Sequence, residues 1–193
     1  MAMVGLVPDA KRRTIAQHCG LGLVALAAVA ASVLAAPGLP GLLGAGLGAL
    51  MLAIATIDAR YFIIPNALTF AAFGLALVNA GMQDGWEGVL MALLRSAVVA
   101  LGFLAVRVGY QWLRGRQGIG LGDIKLAAVA GAWLGWTMLP VAIDIAALAA
   151  LAVYTLRLVG GRPVQRFTRV PFGLFFAPAI WLCWLLEATF ALT

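Results

Sequence analysis

Long apolar segments follow one another along nearly the whole chain, and this feature leaves few folds open to it. The chain is 64% hydrophobic and only 10% charged, whereas a soluble domain carries about 25% charged residues. A transmembrane helix needs about 20 apolar residues, with a range of about 17–25. We therefore predict an all-α, polytopic transmembrane helix bundle that forms a single membrane domain over residues 1–193. Its seven predicted spans cover roughly 19–36, 41–57, 67–82, 88–106, 124–139, 140–157 and 171–191.

Short breaks separate these apolar segments. Pro37–Pro40 predicts a tight turn between the first two, and residues 81–85 end the third. Pro140 follows Leu139 and either divides a long apolar stretch into two helices or only kinks one helix. With a kink, the number of spans falls from seven to six. The third and fifth segments are short, as suits helices that end at a site near the membrane boundary.

The basic residues fall almost entirely on one side of the membrane when the N-terminus is cytoplasmic and seven spans are counted. Lys and Arg gather in cytoplasmic loops, so this separation predicts a cytoplasmic N-terminus. Orientation also explains the net charge of +6 without nucleic-acid binding. The thirteenth basic residue, Arg95, lies within the fourth segment and is expected to pair with Asp144 in the sixth. The other twelve are Lys11, Arg12, Arg13, Arg60, Arg107, Arg114, Arg116, Lys125, Arg157, Arg162, Arg166 and Arg169.

Two aspartates lie at the predicted cytoplasmic ends of apolar segments. Asp58 closes the second segment and Asp123 opens the fifth. Taken singly, Asp58 is explained as a helix-end residue facing water and Asp123 as a helix N-cap. Their common depth instead favours one shared site, because carboxylates in a membrane are costly without a function. Helix polarity further predicts Asp123 to be the more acidic member and Asp58 the usual proton carrier.

Such a pair can hydrolyse a peptide bond without a nucleophilic side chain. Two carboxylates in a poorly solvated site share one proton. One then acts as general base on a water while the other donates a proton to the peptide oxygen. The lone histidine, His18, makes a Ser-His or Cys-His mechanism a poor fit. Cys19 and Cys183 form no Cys-x-x-Cys pair and a structural zinc needs four ligands, so we predict no metal and no cofactor.

Glycines precede the second aspartate at alternate positions, namely Gly118, Gly120 and Gly122. Glycine allows tight turns and close backbone approach. The stretch Gly120–Asp123, with residues 124–126 and 131–135 after it, closely resembles the GxGD box of the type IV prepilin peptidases. This resemblance implies that Gly120 and Gly122 shape the active-site loop that presents Asp123.

Two further stretches resemble boxes of the same family. Ile57–Arg60 with Ile64–Thr69 resembles its first-aspartate box, and Val170–Gly173 resembles its C-terminal Pro-Phe-Gly element. The three boxes occur in the family's order within residues 41–190. A lone GxGD sequence would be weakly specific, but three boxes in order are highly specific.

The resemblance implies an integral membrane aspartic endopeptidase of the bacterial inner membrane. Such enzymes remove the basic leader of type IV prepilins or type II secretion pseudopilins by cleaving after a glycine at the cytoplasmic face. Asp58 and Asp123 would be the catalytic pair, and prepilin substrate and membrane lipid the partners. The candidates for substrate or lipid contact are Pro171, Phe172 and Gly173 of the Pro-Phe-Gly element, together with Lys125. For Lys125, plain snorkelling of the side chain to the membrane surface is an equally good explanation.

The sequence departs from the family pattern at two places. Many bacterial members carry a cytoplasmic domain with paired cysteines that methylates the new N-terminus. Here the first turn is only Pro37–Pro40 and no cysteine pair exists, so the expectation is a short, peptidase-only form without that zinc/methyltransferase domain. In the Pro-Phe-Gly element, Leu174 stands where another proline is expected.

Two other functions fit the same carboxylates less well. Intramembrane proteases of the presenilin type place a tyrosine before the first aspartate, where this chain has Ile57, and carry a Pro-Ala-Leu box that is absent here. A small ion- or proton-coupled transporter typically shows an internal repeat and charges near mid-span. We find no such repeat.

Overall fold

The protein is described by a computed structural model that covers residues 7–116, 118–160 and 171–190, with side chains from Gly20 onward except residue 21. Within these ranges every regular element is a helix, which confirms the all-α prediction. The helices are α1 (Val7–Ala35), α2 (Leu39–Tyr61), α3 (Asn66–Arg114), α4 (Leu121–Trp133), α5 (Met138–Val159) and α6 (Phe172–Phe190).

Helix α3 is a hairpin of two helical halves, 66–83 and 86–114. Asp84 and Gly85 leave helical geometry between them, and Gly85 adopts a left-handed φ of 61°. Glycine reaches this region at little cost, so it can reverse the chain here. The two halves then pack tightly, because a Cβ on Gly88 would lie only 2.5 Å from the carbonyl oxygen of Ala80.

The short helix α4 lies between the two halves of α3 and also packs against α6. Every residue from Val129 to Trp133 is buried. The Trp133 indole N–H donates to the carbonyl of Ala72 on the first half of α3 at 2.9 Å. With 13 residues, α4 is about 20 Å long, which is shorter than the roughly 30 Å hydrocarbon core of a bilayer. A helix this short, buried over its second half, can place its first turn near a membrane boundary.

The predicted segments and the observed helices correspond in order, although their boundaries differ. Counting the halves of α3 separately, each of the seven segments lies mainly over one helical stretch, although the fifth segment also reaches the first two residues of α5. The long apolar stretch is divided by residues 134–137 rather than by Pro140. That proline lies in the first turn of α5, where its missing N–H has no intrahelical partner to lose.

Four of these helices, α2, α3, α5 and α6, are long and apolar enough to cross a membrane, and a shorter apolar helix covers Gly22–Ala35. These lengths and compositions indicate a membrane protein. The number of spans and the cytoplasmic N-terminus stay predictions. Six of the basic residues that predict the orientation lie outside the described residues or have side chains that do, namely Lys11, Arg12, Arg13, Arg162, Arg166 and Arg169. The same holds for His18, Cys19, Gln117 and Val170.

The predicted pairing of Arg95 with Asp144 is wrong. The Arg95 Nε–H donates to the carbonyl of Gly131 at 3.2 Å, and the charge of Arg95 acts on Glu187 of α6. Asp144 is exposed. Glu187 in turn accepts the backbone N–H of Gly135, with N–O distances of 2.9 and 3.2 Å. The intramembrane arginine therefore ties α3 to α4 and α6 rather than to α5.

Gly131→Ala should lower the free energy of unfolding by about 1–3 kcal/mol, the usual cost of overpacking a close-packed site. The added Cβ would lie 2.7 Å from both the Arg95 carbonyl oxygen and the Ser96 Cα, and neither backbone atom can move aside alone. Thermal unfolding in detergent measures the change. Gly102→Ala on α3 is the matched control, since a Cβ there meets nothing within 4 Å. Equal melting temperatures for both variants would contradict this packing.

Candidate active site

Asp58 is buried in the last turn of α2, with only 5% of its surface exposed. Its Oδ2 accepts the backbone N–H of Leu174 at 3.0 Å, and the backbone N–H of Gly173 also donates to this carboxylate. Gly173 and Leu174 are the second and third residues of α6. The carboxylate therefore satisfies N–H groups that a helix N-terminus leaves without intrahelical partners.

This position changes the expected division of roles between the aspartates. At the C-terminus of α2, the helix dipole disfavours the anionic form of Asp58. The N-terminus of α6 favours that same anion, and Asp123 likewise lies at a helix N-terminus. Helix polarity therefore does not separate the two aspartates, and the sequence-based reason for making Asp58 the proton carrier is incomplete.

Asp123 is partly buried in the first turn of α4. Its Oδ2 accepts the backbone N–H of Gly120 at 3.0 Å, as an acidic residue at the third helical position does in a capping box. The charge of Asp58 acts on Asp123 through space. The fold thus brings the two carboxylates into electrostatic range, although they lie on different helices and far apart in sequence.

At three glycines of the site, the missing side chain leaves room for a neighbouring carboxylate or for the Ile64 side chain. A Cβ on Gly120 would lie 3.0 Å from Oδ2 of Asp123, and one on Gly122 would lie 3.0 Å from Cβ of Ile64. A Cβ on Gly173 would lie 2.9 Å from both Oδ2 of Asp58 and Cδ1 of Ile64. These glycines are needed for close approach rather than for a special backbone conformation.

Ile64 therefore joins the three sequence boxes. It belongs to the first-aspartate box and contacts the glycines of the other two, Gly122 and Gly173. The turn before it is tight: Phe62 has a left-handed φ of 55° and donates its N–H to the Asp58 carbonyl at 2.9 Å. A left-handed conformation in a non-glycine residue stores about 1–3 kcal/mol of strain and is often found at functional sites.

The Pro-Phe-Gly element packs inside the bundle. The Phe172 ring lies 5.3 Å from the Phe176 ring, which stacks on Phe103 of α3 at 5.8 Å. Pro171 is partly buried just before α6. These contacts give Phe172 and Gly173 a role in holding α6 against Asp58. Their predicted contact with substrate or lipid, and that of Pro171, stay predictions.

Leu174, the departure from the family pattern, has a direct consequence at the site. Its backbone N–H is one of the donors to Asp58. A proline at this position would have no N–H to donate. The leucine therefore adds a hydrogen bond to the buried carboxylate.

Lys125 points to the start of α3. Its ammonium group donates to the Asn66 Oδ1 at 2.6 Å, and both residues are exposed. Asn66 is the first residue of α3 and makes no capping hydrogen bond, since the N-cap position is held by Pro65. This hydrogen bond joins the beginning of α4 to the first half of α3. The predicted contact of Lys125 with substrate or lipid stays a prediction.

Sequence reasoning missed two residues that hold the glycine loop. Arg107 and Tyr110 lie within α3, whereas the predicted fourth span ended at residue 106. The Arg107 guanidinium donates to the carbonyl of Ile119, and the Tyr110 ring lies against Gly118. A signal was present in the sequence, because residues 86–114 contain neither proline nor a turn motif that would end the helix at 106.

The arrangement provides two carboxylates and several backbone donors in a partly desolvated site. Among the residues that the structure describes, no cluster of three or more His, Cys, Asp or Glu side chains could hold a metal ion. A carboxylate pair of this kind can take a proton from a water molecule and give one to a leaving group.

Comparison with known proteins assigns the chain to a family. Residues 45–156 match the Type IV leader peptidase family, a stretch that covers more than half of the chain and contains both aspartates. The chain belongs to this family. The Type IV leader peptidase match also contains Gly120, Gly122 and Lys125, whereas the Pro-Phe-Gly element lies beyond it.

Curated relatives are similar over most of the chain. A prepilin leader peptidase/N-methyltransferase of Burkholderia pseudomallei (strain 1026b) is 40% identical over 162 residues, which are 80% of this chain and 50% of that protein. Proteins of the same name from Klebsiella pneumoniae and Pseudomonas aeruginosa are 38% and 34% identical, over 63% and 68% of this chain and 53% and 45% of their own lengths. The chain thus spans about half the length of the relatives it matches. No solved structure matches it.

Proposed function

We propose that this member of the Type IV leader peptidase family is an integral membrane aspartic endopeptidase that removes the leader peptide of type IV prepilins or type II secretion pseudopilins. The observation that carries the proposal is the convergence of three separate boxes on one pair of carboxylates. Ile64 packs against both Gly122 and Gly173, and Gly173 lies directly against Asp58. Family membership supplies the chemical class.

In the proposed mechanism Asp58 and Asp123 share one proton. The ionised member takes a proton from a water molecule, which attacks the carbonyl carbon of the scissile bond. The protonated member donates its proton to the peptide oxygen during this attack. As the tetrahedral intermediate breaks down, the proton taken from the water passes to the amide nitrogen and the C–N bond breaks. The other carboxylate regains a proton from the intermediate, so a carboxylic acid and an amine are released and the pair again holds one proton. The backbone N–H groups of Gly120 and Leu174 each hold the Oδ2 atom of one aspartate in place.

The proposed site lies at the cytoplasmic face of the bacterial inner membrane. A prepilin leader is short and basic, so the positive-inside rule keeps it in the cytoplasm. The glycine before the scissile bond weakens the substrate helix at that depth and exposes the bond to water. Membrane lipid would surround the exposed apolar side chains of α3 and α5.

The relatives' name covers two activities, and we propose only the first for this chain. The carboxylate pair accounts for peptide hydrolysis. The family assignment does not support the ion- or proton-coupled transporter that the sequence alone left open.

Processing in living cells tests the proposed function. The chain, expressed in a bacterium that lacks its own prepilin peptidase, should convert a pilin precursor into a shorter mature form on an immunoblot. Asp58→Asn, expressed at the same level, is the matched negative control. The proposal would be contradicted if unprocessed precursor accumulated with the wild-type chain as it does with Asp58→Asn, in membranes that contain equal amounts of the two proteins.

Labelling of introduced cysteines tests the proposed orientation. A cysteine at Arg114 should react only with reagents that reach the cytoplasm, and one near Gly85, at the opposite end of the α3 hairpin, should react from outside. The expectation follows from the one-sided distribution of basic residues. Labelling of the Arg114 position from outside would put the carboxylates on the wrong face for a prepilin leader.

A further inference from the structure

One peptide group joins the second half of α3 to the carboxylate of Asp123. The guanidinium of Arg107 donates to the carbonyl oxygen of Ile119. The N–H of Gly120 belongs to the same peptide group and donates to Oδ2 of Asp123 at 3.0 Å. The order of contacts is therefore guanidinium, peptide group, carboxylate.

A peptide group is planar, so its C=O and N–H directions are fixed relative to each other. Holding the carbonyl oxygen of Ile119 thus also aims the N–H of Gly120. A charged donor on the carbonyl polarises the peptide and strengthens the hydrogen bond that its N–H makes. Both effects act on the orientation of one carboxylate oxygen of Asp123.

A second contact fixes the same loop against the same helix. Arg107 and Tyr110 are three residues apart, so they share one face of α3. A Cβ on Gly118 would lie only 2.7 Å from Cδ1 of Tyr110. The loop 118–120 is therefore held at its start by an aromatic ring and at its end by a guanidinium.

We propose that Arg107 is a positioning residue for peptide hydrolysis. It acts through the Ile119–Gly120 peptide to hold the Asp123 carboxylate in its reactive orientation, and it makes no contact with the substrate. This proposal rests on the proposed function, since it requires Asp123 to be a catalytic residue. Plain snorkelling of an arginine to the membrane surface would not require this peptide, and the partly buried Arg107 differs here from the exposed Arg114 two turns later.

Steady-state cleavage of a prepilin peptide in detergent tests the proposal. Arg107→Gln should lower kcat by about 10- to 100-fold, the scale on which small misplacements of a catalytic group act. KM should change by less than about 3-fold, because substrate binding is not involved. Arg107→Lys should recover part of the lost kcat, since an ammonium group can still donate to the carbonyl. Arg114→Gln removes the same charge from the same helix and should leave kcat unchanged.

Each further outcome distinguishes this proposal from the function on which it rests. The positioning role is overturned if Arg107→Gln keeps the wild-type kcat or changes only KM. If Asp123→Asn is inactive in the same assay, the proposed function still stands. The positioning role is also overturned if Arg107→Lys loses as much kcat as Arg107→Gln and both variants melt at the same lowered temperature. That result would indicate a purely structural arginine. Full activity of Asp123→Asn overturns the proposed function itself.

Discussion

Asp58→Asn and Asp123→Asn should each lower the rate of prepilin cleavage by at least about 10²- to 10⁴-fold, the contribution of a positioned general acid or base. An asparagine keeps the shape of the side chain and can still accept a hydrogen bond, so Leu174 and Gly120 keep their partners. It cannot take up or release a proton at neutral pH. Both variants should therefore remain folded and membrane-inserted. Cleavage kinetics together with thermal unfolding in detergent separate loss of chemistry from loss of fold.

Two acidic residues elsewhere serve as controls. Asp144 on α5 and Glu87 beside the α3 kink are both exposed. Asp144→Asn and Glu87→Gln remove one negative charge each and should leave cleavage near the wild-type rate. If either aspartate variant turns over at a comparable rate to these controls, the two carboxylates do not form the catalytic pair.

Gly173→Ala should give the second largest loss, about 100-fold in kcat, with a smaller effect on stability. The new Cβ would lie 2.9 Å from the buried Asp58 carboxylate oxygen and from Cδ1 of Ile64. Relief requires movement of the carboxylate or of α6, and either displaces Asp58 from the N–H of Leu174. Gly74→Ala, where a Cβ meets nothing within 4 Å, is the matched control.

Gly122→Ala should lower kcat less than Gly173→Ala does, and a second substitution should restore part of the loss. Its Cβ would lie 3.0 to 3.3 Å from three atoms of the Ile64 side chain rather than from backbone. Ile64→Val removes one of these three atoms, Cδ1 at 3.2 Å, and should therefore restore part of the lost activity. The effects of the two substitutions should then be non-additive. Independent losses in the double variant would show that Ile64 does not connect the boxes.

The helical architecture could be predicted from the sequence because apolar segment length is its main determinant. Each of the seven segments overlaps a helical stretch, and the break at Gly85 follows from a residue that reaches positive φ easily. Helix boundaries follow less directly from the sequence. Pro140 predicts a division or a kink at its own position, whereas α5 begins two residues earlier, because a proline fits the first turn of a helix well.

The contacts of the site could be predicted only in part. The boxes around Asp58 and Asp123 are visible in sequence, because glycines and membrane carboxylates are conspicuous. The side chains that hold them are not. Ile64 is an ordinary apolar residue, and Arg107 was counted as a loop cation when it lies inside α3. The N-terminus of α6 reaches Asp58 only through tertiary packing, so no local pattern revealed its effect on that carboxylate.

Cleavage of a prepilin peptide by the purified protein in detergent tests the central claim most directly. The peptide should carry a basic leader, a glycine and then an apolar segment, and mass spectrometry should identify the products. We predict a single cut after that glycine, present with wild-type protein and absent with Asp58→Asn and Asp123→Asn. An intact peptide after incubation with folded wild-type protein, or equal cleavage by the aspartate variants, would contradict a two-aspartate prepilin peptidase.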